Sequence, residues 1–379
     1  MKTATVTRVV LWAGLAGWGL AAVLPAAQGD EKPASTATTI KAMREKGITF
    51  LKNTQAADGS WTNATQPGIT GLVLCGLLDA GAKPSDPVVA KGLKHLEGYR
   101  QKDGGIYHEK SGHKNYETCI SIMAFAKANT EGQYDELIKK ADAYVRELQW
   151  DEGEKIDNKD VKYGGAGYGR TGDRPDLSNT AFLIDALKAA GAKDNDPSIQ
   201  KALVFVSRSQ NLETEHNTTP LVAKVNDGGF YYTPALGGQS QAGMTENGGL
   251  RSYASMTYAG LKSMLYAGLT EKDPRVKAAY DWARKHYTMS ENPGMGQAGL
   301  YYYYHTLGKA LSVMKVDQIT DAQGTRHDWR KDLVAELKQK QGENGSWVNP
   351  ADRWMEGDPN LVTSYVLMTL KYCEAKPAK

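Results

Sequence analysis

The segment KGITFLKNTQAADGSW, residues 46–61, starts as an amphipathic helix, breaks at a glycine turn and ends on a tryptophan; it recurs along the chain. Its skeleton is Lys-Gly-x2-Phe-Leu-x3-Gln-x3-Gly-x-Trp. KADAYVRELQ (140–149) and KALVFVSRSQ (201–210) repeat it from Lys through Gln. KGLKHLEGYRQ (91–101) places Gln101 one residue late, DLVAELKQKQ (332–341) is a looser copy, and KAAYDWARKH (277–286) has His286 where Gln is expected. An aromatic glycine turn follows each copy: DGSW, DGGIY, YGGAGYG, DGGFYY, AGLYYYY and NGSW. Six copies in one chain mark a repeat architecture.

Each turn leads into a second helical stretch that carries little charge: GITGLVLCGLLDAG, YETCISIMAFAKA, LSNTAFLIDALKAAG, SYASMTYAGLKSMLYAG, YHTLGKALSVM and LVTSYVLMTLKY. Three of these end in Gly and run into KPSDPVV, KDNDPSI or EKDPRV. Gly stops the helix, Asp caps the next one, and Pro sits at its first position, where a missing N–H costs nothing. The first helix of each unit has one charged face and belongs on the surface; the second is apolar nearly all round and must be covered on several sides. Six such hairpins bury the second set by closing into a ring. The expected fold is therefore an all-α α/α toroid with an inner and an outer ring of helices.

The Gln and Trp of the motif then act together as a staple. The Gln amide can donate and accept at once, which suits it to the backbone groups near the turn, while the aromatic ring packs beside it and sets the angle between consecutive hairpins.

Composition narrows the function without choosing it. The chain has 379 residues, with 46 Lys+Arg against 43 Asp+Glu, and its net charge of +3 gives no electrostatic case for nucleic acid. Lys2 and Arg8 precede the apolar run VVLWAGLAGWGLAAVL and then PAAQGD, the pattern of a secretory signal cleaved near Ala26 or Ala27. A retained N-terminal anchor is the alternative. The expected organisation is a signal over 1–27, a short linker over 28–39, one toroid over 40–373 and a tail over 374–379. After cleavage the protein would be secreted or periplasmic and not integral to a membrane. Cys75, Cys119 and Cys373 lie in apolar helical stretches with no disulfide-framework spacing, and read as small buried hydrophobes.

The repeat resembles the QW motif of squalene–hopene and oxidosqualene cyclases, Lys/Arg-Gly/Ala-x2-aromatic-aliphatic-x3-Gln-x2-5-Gly-x-Trp. The resemblance covers roughly residues 40–373; the motif is complete in the first hairpin, partial in the third, fourth and sixth, and weak in the second and fifth. The toroid is also that of protein prenyltransferase β subunits and complement-type thioester domains, with related rings in some polysaccharide lyases. Fold alone does not convey function.

Cyclases of this class protonate an alkene with the central Asp of Asp-x-Asp-Asp-Thr-Ala at the start of an inner helix. This chain has Asp176-Leu177-Ser178-Asn179-Thr180-Ala181 there, so both later carboxylates are replaced, and a serine cannot be that acid. The resemblance also implies a second helical domain enclosing the substrate, and only one ring is legible. Prenyltransferases hold zinc with an Asp-x-Cys pair and a later His; among Glu117, Cys119 and His305 the Asp is replaced by Glu and the spacing is wrong. No thioester crosslink motif occurs. The resemblance thus implies a cyclase-like toroid with an apolar ligand, no metal site and no cofactor.

In such rings the ligand funnel opens at the N-termini of the inner helices, where free N–H groups favour polar or anionic groups. The residues expected there are Tyr116, Glu117, Asp176, Ser178, Asn179, Glu246, Asn247, Arg251, Tyr303, Tyr304, His305, Trp354 and Asp358. Asp176, Glu117 and His305 are the candidates for acid–base work; Tyr116, Asn179, Glu246, Arg251, Tyr303, Tyr304 and Trp354 are the candidates for binding. The alternative is that Asp176 and Asn179 only cap a helix while the tyrosines fill the ring centre. His108 and His113 read as loop histidines, and SENPGMGQAG and TPALGGQSQAGMTENGGL as loops over the mouth. Three functions stay open: a toroid binding an apolar, isoprenoid-like molecule, a polysaccharide lyase or hydrolase using rim carboxylates, and a protein-binding scaffold.

Overall fold

The protein is described by a computed structural model over residues 35–169 and 174–374. The expected signal segment and nearly all of the tail lie outside those residues. From Ser35 onward the chain is one compact unit. Helices α1 (Thr36–Thr54) and α2 (Pro67–Asp79) form the first hairpin, α3 (Pro87–Glu97) and α4 (Lys114–Ala128) the second, and α5 (Asp135–Glu147) and α6 (Leu177–Ala189) the third. The fourth is α7 (Pro197–Arg208) and α8 (Ala254–Tyr266), the fifth α9 (Pro274–Lys285) and α10 (Leu300–Met314), and the sixth α11 (Trp329–Lys340) and α12 (Pro359–Cys373). A two-stranded antiparallel ribbon, β1 (Ile319–Thr320) and β2 (Arg326–His327), joins α10 to α11. The first helix begins at Thr36, four residues before the expected boundary at 40.

The even-numbered helices pack side by side in a closed inner ring, each on its two neighbours and α12 back onto α2. Every residue of α2 but Leu78 is buried, whereas α5 buries only Ile138, Ala141, Tyr144 and Val145. The polarity difference between the two helix sets is therefore the difference between inner and outer ring. No described helix is long and apolar enough to cross a membrane.

The capped turns work as their sequences require, with one variation. Asp196, Asp273 and Asp358 accept hydrogen bonds from the first backbone N–H groups of α7, α9 and α12. Asp86 instead turns its carboxylate back to the Lys83 N–H at 3.0 Å.

The staple is visible in four hairpins. Gln55 donates to Gly59 O (3.1 Å) and Val88 O (2.9 Å), Gln149 to Gly164 O (2.8 Å) and Ser198 O (2.9 Å), and Gln210 to Gly228 O and Arg275 O (both 2.9 Å). Each amide thus ties its own glycine turn to the start of the next outer helix. Gln341 closes the ring, donating to Gly345 O (2.9 Å) and, in α1, to Met43 O (3.1 Å). The Trp61 and Trp347 indoles each donate at 2.7 Å to a carbonyl of the preceding outer helix, Leu51 and Leu337. The expectation that the amide also accepts is not met at Gln149 and Gln210, whose buried oxygens have no hydrogen-bond partner among the described residues. Hairpins two and five depart where their sequences do: the Gln101 side chain donates to Tyr99 O and Tyr107 O, and His286 bonds to Trp282 O in its own helix.

A glycine is required where turn and outer helix touch. At Gly164, with φ +81°, an added Cβ would stand 1.8 Å from the Lys201 carbonyl oxygen. A regular threonine, not singled out in the sequence, latches the turns from the other side. Backbone N–H groups of Trp61, Ile106, Ala166, Phe230 and Trp347 donate to Thr70, Thr118, Thr180, Thr257 and Thr363 of the inner helices, at 2.9–3.3 Å. Thr180, of the segment Asp176-Leu177-Ser178-Asn179-Thr180-Ala181, is one of these latches. All three cysteines are buried and unpaired, and burial pushes the Cys75 thiol up to about 12.

Candidate functional site

The connections from outer to inner helices lie at one end of the ring and surround a funnel of about 300 Å³. Its throat is crossed by four aromatic rings from four inner helices. Tyr116 meets Phe182 edge-on (5.0 Å between centroids), Phe182 stacks on Tyr302 (6.2 Å), and Tyr302 leans on Tyr365 (6.0 Å). Tyr168, Tyr232, Tyr253 and Trp354 complete the aromatic wall. Trp354 sits at the mouth, 47% exposed, with φ +60°. A bulky residue held in the left-handed region carries strain that its surroundings must enforce. Arg353 holds it from above, its guanidinium 4.3 Å from the indole centre, while donating to Gln241 across the mouth.

Two carboxylates line the funnel, and both are engaged. Glu117 accepts from His108 N (3.0 Å) and Ser111 Oγ (2.7 Å). Glu356 accepts from Tyr301 N (3.2 Å), Tyr302 N (2.8 Å) and Asn349 Nδ2 (2.7 Å), so it caps α10 from another hairpin. Burial raises the pKa of each above the ordinary value, against the pull of those donors. Asp176 lies behind the wall. It caps α6 through Asn179 N (2.9 Å) and also accepts from Ser178 Oγ (2.7 Å), Asn179 Nδ2 (2.8 Å) and the Tyr232 hydroxyl. Its pKa is raised by burial, with those four donors opposing.

Of the residues expected at the rim, Tyr116, Glu117, Ser178 and Trp354 line the funnel. Ser178 stands on the wall. Asp176 and Asn179 are 1% exposed and are not part of the lining; Asp176 caps the helix and Asn179 braces its carboxylate. Glu246 and Arg251 stand on an exposed loop away from the lining, Arg251 donating to Met244 O at 2.9 Å, and Asn247 holds Lys224 O at 3.0 Å. Tyr303 and Tyr304 face outward from α10, their hydroxyls donating to Thr288 O and Met289 O. Successive helix residues turn by about 100°, so of the four tyrosines only Tyr302 reaches the throat. His305 lines a separate chamber at the far end of the ring. Glu117, Cys119 and His305 are not brought together: Cys119 is buried against Asn115 Oδ1 at 3.4 Å. Asp358 is the N-cap of α12.

Sequence reasoning missed Glu356, Tyr302, Phe182, Tyr232 and Asn115. Asn115 donates to Gly167 O at 2.8 Å and so positions the loop bearing Tyr168. Phe182 and Tyr302 had an available signal, the aromatic positions in the first turns of inner helices; Glu356 had none, because the backbone N–H groups it caps lie fifty-odd residues away. His113, read as a surface loop residue, lines the funnel and meets Tyr168 edge-on at 4.8 Å.

No family profile matches this chain, and no curated protein matches it. Solved structures do. A variant of the type II terpene cyclase MstE from Scytonema, in complex with geranylgeranyl dihydroxybenzoate, is 12% identical, covers 89% of this chain and 98% of its own, and has a TM-score of 0.57. The chain is an α/α toroid. An inactive variant of an alpha-1,6-mannanase, GH76A of Salegentibacter, in complex with alpha-1,6-mannotriose, is 9% identical over 88% of this chain and 99% of its own, with a TM-score of 0.56. A possible GH105 member from Salmonella enterica is 11% identical over 92% and 97%, with a TM-score of 0.53. Identities this low establish shared architecture, and the same ring carries terpene and sugar chemistry.

Proposed function

We propose that the protein is an exported, terpene-cyclase-like toroid that binds an apolar, isoprenoid-like molecule in its funnel and does not initiate cyclisation by protonation. The observation that carries this reading is the lining: Tyr116, Phe182, Tyr253, Tyr302, Trp354 and Tyr365 offer aromatic faces, while Ser178 takes the acid's place. The mouth supports it. Leu236, Met244, Val348, Trp354 and Met355 are the exposed large hydrophobics among the described residues, and all lie on connections at the funnel end. A flexible hydrocarbon gains about 25 cal/mol for each Å² of apolar surface it hides there. None of those five residues is on an outer helix, where a scaffold would place its docking patch.

A sugar-processing reading has its own observation, the two funnel carboxylates whose protonation burial favours, Glu117 and Glu356. Both already hold backbone N–H groups, which makes them poor candidates for a mobile proton. One experiment separates the two. Protein purified without detergent is extracted with organic solvent and analysed by mass spectrometry, and the emptied protein is titrated with geranylgeraniol and with mannotriose. The expected result is a co-purifying apolar compound and quenching of tryptophan fluorescence by geranylgeraniol, the quenching reduced in Trp354→Phe. Binding or cleavage of the oligosaccharide with no response to geranylgeraniol would overturn the proposal.

A further inference from the structure

The ring has a second end. Where the inner helices finish, a chamber of about 350 Å³ is bounded by Asp79, Lys127, Asp185, Lys188, His305 and Lys309 over an apolar floor. Phe182 belongs to this chamber and to the funnel, so the aromatic waist divides the two.

The charges here do not balance. Asp79 is shared by Lys127 (2.7 Å) and Lys371 (2.8 Å), and Asp185 by Lys262 and Lys309 (both 2.8 Å). Four ammonium groups thus face two carboxylates. Lys188 adds a fifth, paired outward with Asp194 at 2.7 Å. Helix dipoles account for part of the excess: Lys127, Lys188 and Lys371 lie in the last turns of α4, α6 and α12, where a cation is favoured. That effect fades within one turn, and Lys262 and Lys309 sit more than a turn before the ends of α8 and α10. With Asp185 they form a trio whose side chains are only 4%, 13% and 7% exposed. An unmatched charge at such depth is costly.

His305 stands beside the trio. It is 7% exposed, and its Nδ1 has no hydrogen-bond partner among the described residues. Burial and the neighbouring Lys309 hold its pKa down at about 3, so the ring is neutral at pH 7 and can offer one N–H. Two lysines converging on one carboxylate, an imidazole with an idle nitrogen, and a chamber beside them make a receptor for negative charge.

We propose that this chamber is a second binding site that takes a small oxyanion, a carboxylate or phosphate group, between Lys309, Lys127 and the imidazole of His305. It lies across the waist from the funnel and its binding groups are different residues, so it holds whether or not the funnel takes an isoprenoid.

Calorimetric titration of the mature protein with inorganic phosphate, pyrophosphate and octanoate tests it. One saturable site is expected, weakened about tenfold or more in Lys309→Met, the loss of one charge-assisted hydrogen bond. That variant leaves Asp185 paired one-to-one with Lys262, so its fold should persist, and a melting curve checks this. His305→Phe, which changes no net charge at pH 7, should weaken the same site and serves alone if Lys309→Met does not fold. Response to phosphate or pyrophosphate identifies a free oxyanion; response to octanoate alone identifies the acid end of an amphiphile; both support the site. No saturable binding of any of the three, or affinities unchanged in both variants, would overturn it.

Discussion

Replacing Trp61 should reveal how much of the ring is held by its staples. The indole is fully buried, donates to Leu51 O at 2.7 Å, and lies against α3 of the next hairpin. Truncation to Ala removes a ring that cannot be replaced by collapse of so tight a site, which costs about 3–5 kcal/mol. Trp61→Phe keeps most of the apolar contact but leaves the Leu51 carbonyl without the indole donor, a loss of about 1–3 kcal/mol. The contact with α3 can be isolated. A Cβ added at Gly92 would stand 2.9 Å from Trp61 Cζ3 and 2.9 Å from Leu74 Cδ2. Gly92→Ala should therefore cost about 1–3 kcal/mol of overpacking, offset by about 1 kcal/mol of helix propensity. In the Trp61→Phe background one of the two clashing groups is gone. The double variant should be more stable than the sum of the singles by about 1 kcal/mol. Urea unfolding of the protein, followed by circular dichroism, gives all five stabilities. A cost below about 1 kcal/mol for Trp61→Ala, or an additive cycle, would refute the staple role.

Deleting residues from 328 onward removes Gln341 and its bond to Met43, and α12 with its packing on α2, and is expected to unfold or aggregate the whole chain; a soluble fragment with a sharp melt would show an open, modular array. Ser178→Asp with Asn179→Asp is expected to yield no cyclic triterpene from squalene, because restoring the acid does not enclose the carbocation against water; product would show that the acid was the only deficit. The folded-state pKa of His305 lies below its unfolded value of about 6.5, so its contribution is complete above that pH and is lost as pH falls toward 3. Wild type should therefore lose stability across that window more steeply than His305→Gln, and parallel profiles would contradict it. Cys75, with its thiol pushed up to about 12, and the equally buried Cys119 should react with a thiol reagent only after denaturation, and reaction in the native state would place them at an opening.

What could be read directly from the sequence was the part that local chemistry controls. Asp-Pro after Gly must stop one helix and start another, and a Gln four residues before a glycine turn can reach that turn whatever else the chain does. Periodic charge on one helix and its absence on the next separate outer from inner ring, because burial is set by the side chains' own transfer free energies. Six such pairs leave closure as the economical way to cover the inner set, so the toroid followed without coordinates. Which inner residues face the funnel did not follow, since a helix apolar all round carries no sign of its orientation. Tyr301 to Tyr304 look alike in the sequence, yet helical rotation and the packing of α10 send Tyr302 to the throat and Tyr303 and Tyr304 to the loop at Thr288 and Met289. Glu356 became the cap of α10, and Lys262 and Lys309 came to share Asp185, across separations of more than fifty residues. Those pairings exist only when the hairpins pack, because packing sets groups from separate repeats side by side at depths where an unpaired charge could not remain.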